Sequence, residues 1–463
     1  GDGGGAGTGG KASGGTNMNS PPMPMEVPPR SAPGSCGLEN PAFCETFEKK
    51  HPEGRAGDLD ESLWSFSRWG HEWTQYFVRV PASQETGRAI GSVFCGGSFA
   101  DRLMPNDVAI CDGVGVDGLT SAQLNEVFDD QEDFAFNSMR SRQLFDFTNR
   151  TGTVVFDVDA KVNPLNVGHG WWVEFWITED SAPMPYHEAP GVVSYPRNGL
   201  GIDFRGLNDC PQGRTATTVA RVFVTKDHEI LHDYPGWELE HDSDEARCIK
   251  TEDQKLNRFK IMVSKDKLEI WASHFDDGEN LHRIVTAPML DLPFTRGYIH
   301  LQHSAYNAPK DGNVTAVQTY RWDNIGFDGP SYAVPRSYTV ADNDVPDTDG
   351  RGGYMYGYVF KGADWVSLTV PGVDLDKAAS AVLDFNTLIY GPRTLQYRLN
   401  GGGMHTFEMR DFGRPGLRTF SVGLPLNELK AGDNTLEVKL ASAEAAGLPE
   451  YIGQVEVSIS EGK

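Results

Sequence analysis

The sequence predicts an all-β protein, a large two-sheet sandwich followed by a smaller β-sandwich. Three observations carry this prediction. From about residue 38 onward, short segments alternate apolar and polar residues with a period of two, as a half-buried strand requires. These segments are rich in Val, Ile, Phe, Tyr and Trp, and Gly, Asp, Asn and Pro break them into turns. Many such strands follow one another in one run of nearly 300 residues, which argues a large two-sheet sandwich.

Taken in order, residues 1–37 are rich in Gly, Ser and Pro and hold nothing that could pack a core, so they read as a flexible tether. Residues 38–329 hold the longer run of strands: TVVFDVDAKV (153–162), GWWVEFWIT (170–178), GLGIDFRG (199–206), TVARVFVT (218–225), RFKIMVS (258–264), KLEIWAS (267–273), GYIHLQHS (297–304) and QTYRWDNIGF (318–327). SKDK (264–267) reads as a tight turn, and TSAQLNEVFDDQ (120–131) as the one helix candidate. Beyond GPSYAVPRS, residues 330–463 supply a second set, among them WVSLTVPGV, AVLDFNTLI, LQYRLNG, TFSVGL and NTLEVKLAS.

Composition narrows the partners. The 463 residues carry a formal charge of -24, which argues against nucleic acid and against an anionic membrane surface. Such a chain suits a neutral ligand, or a charged one met by local arginines. No run of about 18 apolar residues occurs, so no transmembrane helix is expected. The six cysteines, Cys36, Cys44, Cys95, Cys111, Cys210 and Cys248, form no CxxC pair and read as disulfides in an oxidising compartment. Sequential closure (36 with 44, 95 with 111, 210 with 248) is preferred among the fifteen pairings, because each bridge would staple one local loop. Six unpaired thiols in a cytoplasmic protein are the alternative.

Two stretches near the start, FCETFEKK and LDESLWSFSRW, resemble the opening strand and Trp-bearing segment of concanavalin A-like lectin/glucanase jelly rolls. NRFKIMVSKDKLEIWAS is similar to the paired back strands of that fold, and GYIHLQHSAYN with YRWDNIGFDGP to its closing strands. The resemblance covers roughly residues 42–329. It implies a jelly roll of the kind that hosts glycoside hydrolases, polysaccharide lyases and non-catalytic lectins, so a polysaccharide or glycan is the expected partner. LNELKAGDNTLEVKL resembles the end of galactose-binding-like modules, which implies an accessory, carbohydrate-binding role for the second sandwich; bracing the first is the alternative. The N-terminal tether resembles those of bacterial surface lipoproteins. It implies a lipid anchor upstream of residue 1 and a location outside the cell, at the bacterial surface or in the periplasm.

Alternation separates the two faces of each strand. Trp171, Val173, Phe175 and Ile177 share the core side, which leaves Trp172, Glu174, Trp176 and Thr178 opposite. Leu200, Ile202 and Phe204 point inward, leaving Asp203 and Arg205. Val222 and Val224 point inward, leaving Arg221 and Phe223. Ile299 and Leu301 point inward, leaving Tyr298, His300 and Gln302. Indole faces stack on the C–H patches of sugar rings, and carboxylate, guanidinium and amide groups bind hydroxyls. Trp172 and Trp176 would lie about 13 Å apart along one face and serve two subsites.

Hydrolysis of a glycosidic bond needs two carboxylates, and Glu174 and Asp203 are the expected acid/base pair, with His300 as a third catalytic candidate. Trp172, Trp176, Arg205, Arg221, Tyr298 and Gln302 are the substrate-binding candidates. The ExDxxE-type strand motif of familiar glucanases of this fold is absent from GWWVEFWITED. A non-catalytic lectin or adhesin is the alternative, and a lyase using Arg205, Arg221, His300, Gln302 and Tyr298 on a uronate is a second. HEILH (His228, Glu229, His232) matches a zinc-protease pattern, but it follows a strand and runs into Pro235-Gly236, so the helix that this chemistry needs is not expected. DNDVPDTDG places Asp342, Asp344, Asp347 and Asp349 in a turn-forming run that suits a structural Ca2+; a solvated acidic linker is the alternative. No organic cofactor is expected. Asn149 and Asn313 head glycosylation sequons.

Overall fold

Period-two segments bury one side each, and the chain satisfies them by stacking sheets in pairs. In a computed structural model, residues 36–51, 59–69, 74–81, 88–94, 134–158, 170–180, 187–189, 192–207, 216–243, 248–252, 255–276, 280–287, 289–306, 321–340, 357–360, 365–389, 392–410, 416–442 and 450–462 are described. Among them every element is a strand apart from two 3-10 turns, at Gly236–Glu238 and Leu426–Glu428. No helix there is long and apolar enough to cross a membrane. Residues 1–35 of the tether, the helix candidate at 120–131 and Asn313 lie outside the described residues, whereas Cys36, at the end of the expected tether, is buried against Leu38 and Val155 and belongs to the folded unit.

The first sandwich pairs an eight-stranded with a nine-stranded sheet. The eight-stranded sheet runs in the order His282–Ala287, Leu268–Ala272, Asn257–Val263, Gly152–Val158, Arg321–Asp328, Arg88–Phe94, Thr74–Pro81, with Pro41–Glu45 also on Arg321–Asp328. The nine-stranded sheet runs Glu229–Pro235, Ala216–Lys226, Asn198–Leu207, Gly170–Thr178, Arg296–Tyr306, Phe134–Ser141, Trp64–Trp69. Ile249–Lys250 adds to Ala216–Lys226, and Phe145–Asp146 to Arg296–Tyr306. Phe175, Ile177, Leu200, Ile202, Phe204, Val222, Val224, Ile299 and Leu301 all enter the shared core, as their alternation predicts. Ser264 and Lys267 close the expected turn, with the Ser264 N–H donating to the Lys267 carbonyl at 2.9 Å.

On the outer side of the eight-stranded sheet, Cys36 is disulfide-bonded to Cys44. Arg258, fully buried, reaches the Cys36 carbonyl and pairs with Asp157 at 3.3 Å, whose other oxygen takes the Asn324 amide at 2.7 Å. Cys248 is also disulfide-bonded. Cys95, Cys111 and Cys210 lie outside the described residues.

The second sandwich sets a five-stranded sheet (Arg336–Thr339, Glu450–Glu461, Ala378–Ile389, Gly416–Leu424, with Gly357–Phe360) against a four-stranded one (Val366–Val373, Gly432–Ser442, Arg393–Leu399, His405–Met409). It has its own core, around Leu383, Phe385, Leu436, Val438 and Val457. Its Glu450–Glu461 strand meets the outward side of the nine-stranded sheet through Glu456, which contacts Ser65, Arg140 and Arg142.

Candidate functional site

Antiparallel partners carry side chains on the same side of a sheet, so register turns the nine-stranded sheet into transverse rows. One row on its outward face reads Gln302, Glu174, Asp203, Arg221 across four strands. The next reads His300, Trp176, Gly201, Phe223, Asp233. Five of the sequence candidates, Glu174, Asp203, Gln302, His300 and Trp176, are thereby neighbours, and Arg221 adjoins them. Beside Asp203 the register shifts: Asp203 faces Arg221 while Phe204 faces Val219. The extra residue, Ala220, makes a β-bulge at the row's end and lets both Val219 and Val222 reach the core.

Glu174 and Asp203 are direct cross-strand partners, a relation that sets Cβ atoms about 5 Å apart. Both are buried, at 4% and 3% exposure. The Gln302 amide donates to the Glu174 carboxylate. Arg221 forks onto Asp233, Nε at 2.7 Å and Nη2 at 2.9 Å, with its guanidinium 4.7 Å from the centre of the Phe223 ring. Trp176 meets Phe223 edge to face at 4.6 Å. Gly201 makes this packing possible: a Cβ there would fall 2.7 Å from the Phe223 ring and 2.9 Å from Trp176. Trp176 is fully buried and forms a wall of the site rather than an open platform.

His300 is fully buried, with Nε2 2.8 Å from the Thr178 hydroxyl, which itself donates to the Asp180 carbonyl at 3.2 Å. Burial, helped by the Arg140 charge, holds its pKa well below the usual histidine range, so the ring is neutral. Tyr298 lies apart from the carboxylate row. Its ring sits 4.7 Å from the Arg140 guanidinium, in a small cavity that also involves Ser337, Val382 and Ser458 of the second sandwich. Trp172 and Arg205 lie on strands of the same sheet, with backbone partners Ser304 and Thr218.

Asp342, Asp344, Asp347 and Asp349 lie outside the described residues. Among the described ones no group of three His, Cys, Asp or Glu side chains is arranged around a metal position. His228 occupies a turn and His232 the strand after it, so HEILH is not helical. Gly201 and Asp233 are not among the residues that the sequence marks. A glycine in the middle of an alternating strand was the available signal for the first; nothing local marks the second.

No family model matches the chain, and no curated protein matches it. Among solved structures it is similar to the VIP36 exoplasmic/lumenal domain in its Ca2+/Man-bound form, at 13% identity and TM-score 0.30, over 63% of this chain and 91% of that one. It is similar also to lectin II from Ulex europaeus (9%, TM-score 0.29, 62% and 98%) and to Bacteroides ovatus Xyloglucan PUL GH43B (11%, TM-score 0.29, 63% and 40%). At these scores the likeness bears on neither ligand nor chemistry.

Proposed function

We propose that the chain is an exported carbohydrate-active protein that hydrolyses a neutral polysaccharide, with Glu174 and Asp203 as its paired carboxylates. The observation that carries this reading is their direct pairing across adjacent strands, backed by Gln302 and walled by Trp176. One carboxyl would protonate the leaving oxygen while the other acts as base or nucleophile. Residues 38–329 form the active unit in this reading and residues 330–463 an accessory one. The -24 charge suits a neutral substrate. Of the two arginines that a lyase would turn to a uronate carboxylate, Arg205 and Arg221, the second is engaged by Asp233.

Non-catalytic glycan binding is the second reading, favoured by the near-complete burial of both carboxylates. Incubating the chain, Glu174→Gln and Asp203→Asn with a polysaccharide panel separates the readings. New reducing ends from a neutral polysaccharide are expected, with turnover lost on the order of 100-fold in each variant. Binding without turnover would select the second reading, and unsaturated-uronate absorbance the lyase.

A further inference from the structure

A cleft of about 240 Å³ lies where the two sandwiches meet, lined by Asp180, Arg197 and His228 from the first and Phe407, Arg410 and Phe420 from the second. It begins where the Gly170–Thr178 strand ends. Asp180 is six residues beyond Glu174, roughly 20 Å along an extended chain, too far for one sugar ring to touch both.

Three features set it apart from an ordinary joint. First, its floor includes a turn in an unfavourable conformation. Asp227 and His228 have φ of 51° and 65°, where hairpins place Asn and Gly, because a Cβ makes the left-handed region costly. Such outliers gather at ligand sites, where the surroundings hold them in place. Here His228 is held by its backbone N–H on the Arg197 carbonyl at 3.0 Å and by Nδ1 on the Tyr195 carbonyl at 3.0 Å. A carbonyl only accepts, so Nδ1 carries the proton and Nε2 is an acceptor.

Second, the cleft has an aromatic wall. Phe407 and Phe420 meet edge to face at 5.7 Å, and Phe420 lies 5.7 Å from the His228 ring. Third, planar polar groups surround that wall. Asp180 is buried and takes the Arg197 backbone N–H at 2.6 Å. Arg410 is exposed and reaches the Asp227 carbonyl at 3.4 Å.

Charge and size narrow the ligand. Asp180, Asp227 and Glu408 outnumber the two arginines, and Arg197 already engages Glu179 at 3.1 Å. No positive excess remains for an anion. The volume falls below the about 300–1,000 Å³ of drug-sized ligand sites, which leaves room for one ring rather than a chain. A ring with an apolar face and hydroxyls on its rim fits an aromatic wall beside carboxylate, imidazole and guanidinium.

We propose that this junction cleft is a second carbohydrate subsite that takes one neutral pyranose unit, its C–H face on Phe407 and its hydroxyls on Asp180, His228 and Arg410. The proposal rests on the reading of the chain as carbohydrate-active. It assigns the second sandwich half of a site that neither sandwich completes alone.

The test uses the full chain with the methyl glycosides of glucose, galactose, mannose and xylose, and with glucuronate, followed by saturation-transfer NMR and titration. At least one neutral glycoside is expected to bind to the wild type, and glucuronate to bind more weakly. Phe407→Ala and Arg410→Ala should each weaken that binding about tenfold. Arg410 is exposed, so its variant reports even where Phe407→Ala fails to fold. Glycoside binding unchanged in Arg410→Ala, or no neutral glycoside bound, overturns the subsite. Polysaccharide turnover that persists alongside that result leaves the proposed function standing, whereas failure of both assays removes the two together.

Discussion

Glu456→Ala is expected to destabilise the chain by about 3–5 kcal/mol, the usual cost of breaking a buried ion pair on one side. Glu456 is 1% exposed and belongs to the second sandwich, yet its partners lie on the first. Arg142 Nη1 donates to it at 2.5 Å, Arg140 Nη2 at 3.5 Å and the Ser65 hydroxyl at 2.8 Å. Both arginines are buried, so alanine would strand two guanidiniums without their counter-charge. Burial raises the Glu456 pKa, but the Arg142 and Arg140 charges and the hydrogen bonds outweigh it, and the result lies below the usual range. Its contribution is therefore present at neutral pH and lost as pH falls below about 4.5 through the depressed folded value. Urea denaturation of wild type and variant measures the effect. A loss under about 1 kcal/mol, the size typical of exposed pairs, would show that this contact does not hold the sandwiches together.

Asp180→Asn is expected to stabilise the chain at alkaline pH and to do little near pH 4. Burial pushes the Asp180 carboxyl from 3.8 up to about 7, against the lowering effect of the Arg197 backbone N–H and charge. A raised folded pKa means that the folded chain holds its proton longer than the unfolded one. Stability is then highest below about 4 and declines until pH passes 7. A shift of this size is worth up to about 4 kcal/mol, which asparagine, having no charge, would not lose. His228 works in the opposite direction. Burial lowers its pKa to about 4, so its contribution is full above 6.5 and declines as pH falls toward 4. The Asp180 slope opposes that of His228 and of the buried His300 in the wild type, and the variant should remove the opposing slope. Melting temperatures from pH 4 to 8 test this. A difference between wild type and Asp180→Asn that stays constant with pH would contradict it.

Alternation made the core of the first sandwich legible, since it reports the side of a sheet on which a residue lies. Phe175, Leu200, Val222 and Ile299 are all found where that rule puts them. The same rule put Glu174, Asp203, His300 and Gln302 on one outward face, and register brings them together there. What covers that face was not legible. Ser65, Arg140 and Arg142 meet Glu456 across more than 300 residues of chain, and no local pattern records such a contact. The bulge at Ala220 was equally hidden, because one inserted residue shifts register without leaving a periodic trace. The Cys36–Cys44 bridge spans only eight positions, which is why local reasoning reached it.

Affinity electrophoresis of the Glu174→Gln variant in gels containing neutral polysaccharides or polyuronates tests whether the chain binds a neutral glycan at all, as hydrolase and lectin alike must. At least one neutral polysaccharide is expected to retard the variant more than any polyuronate does. Equal mobility in every neutral gel and in a gel without polysaccharide would contradict it.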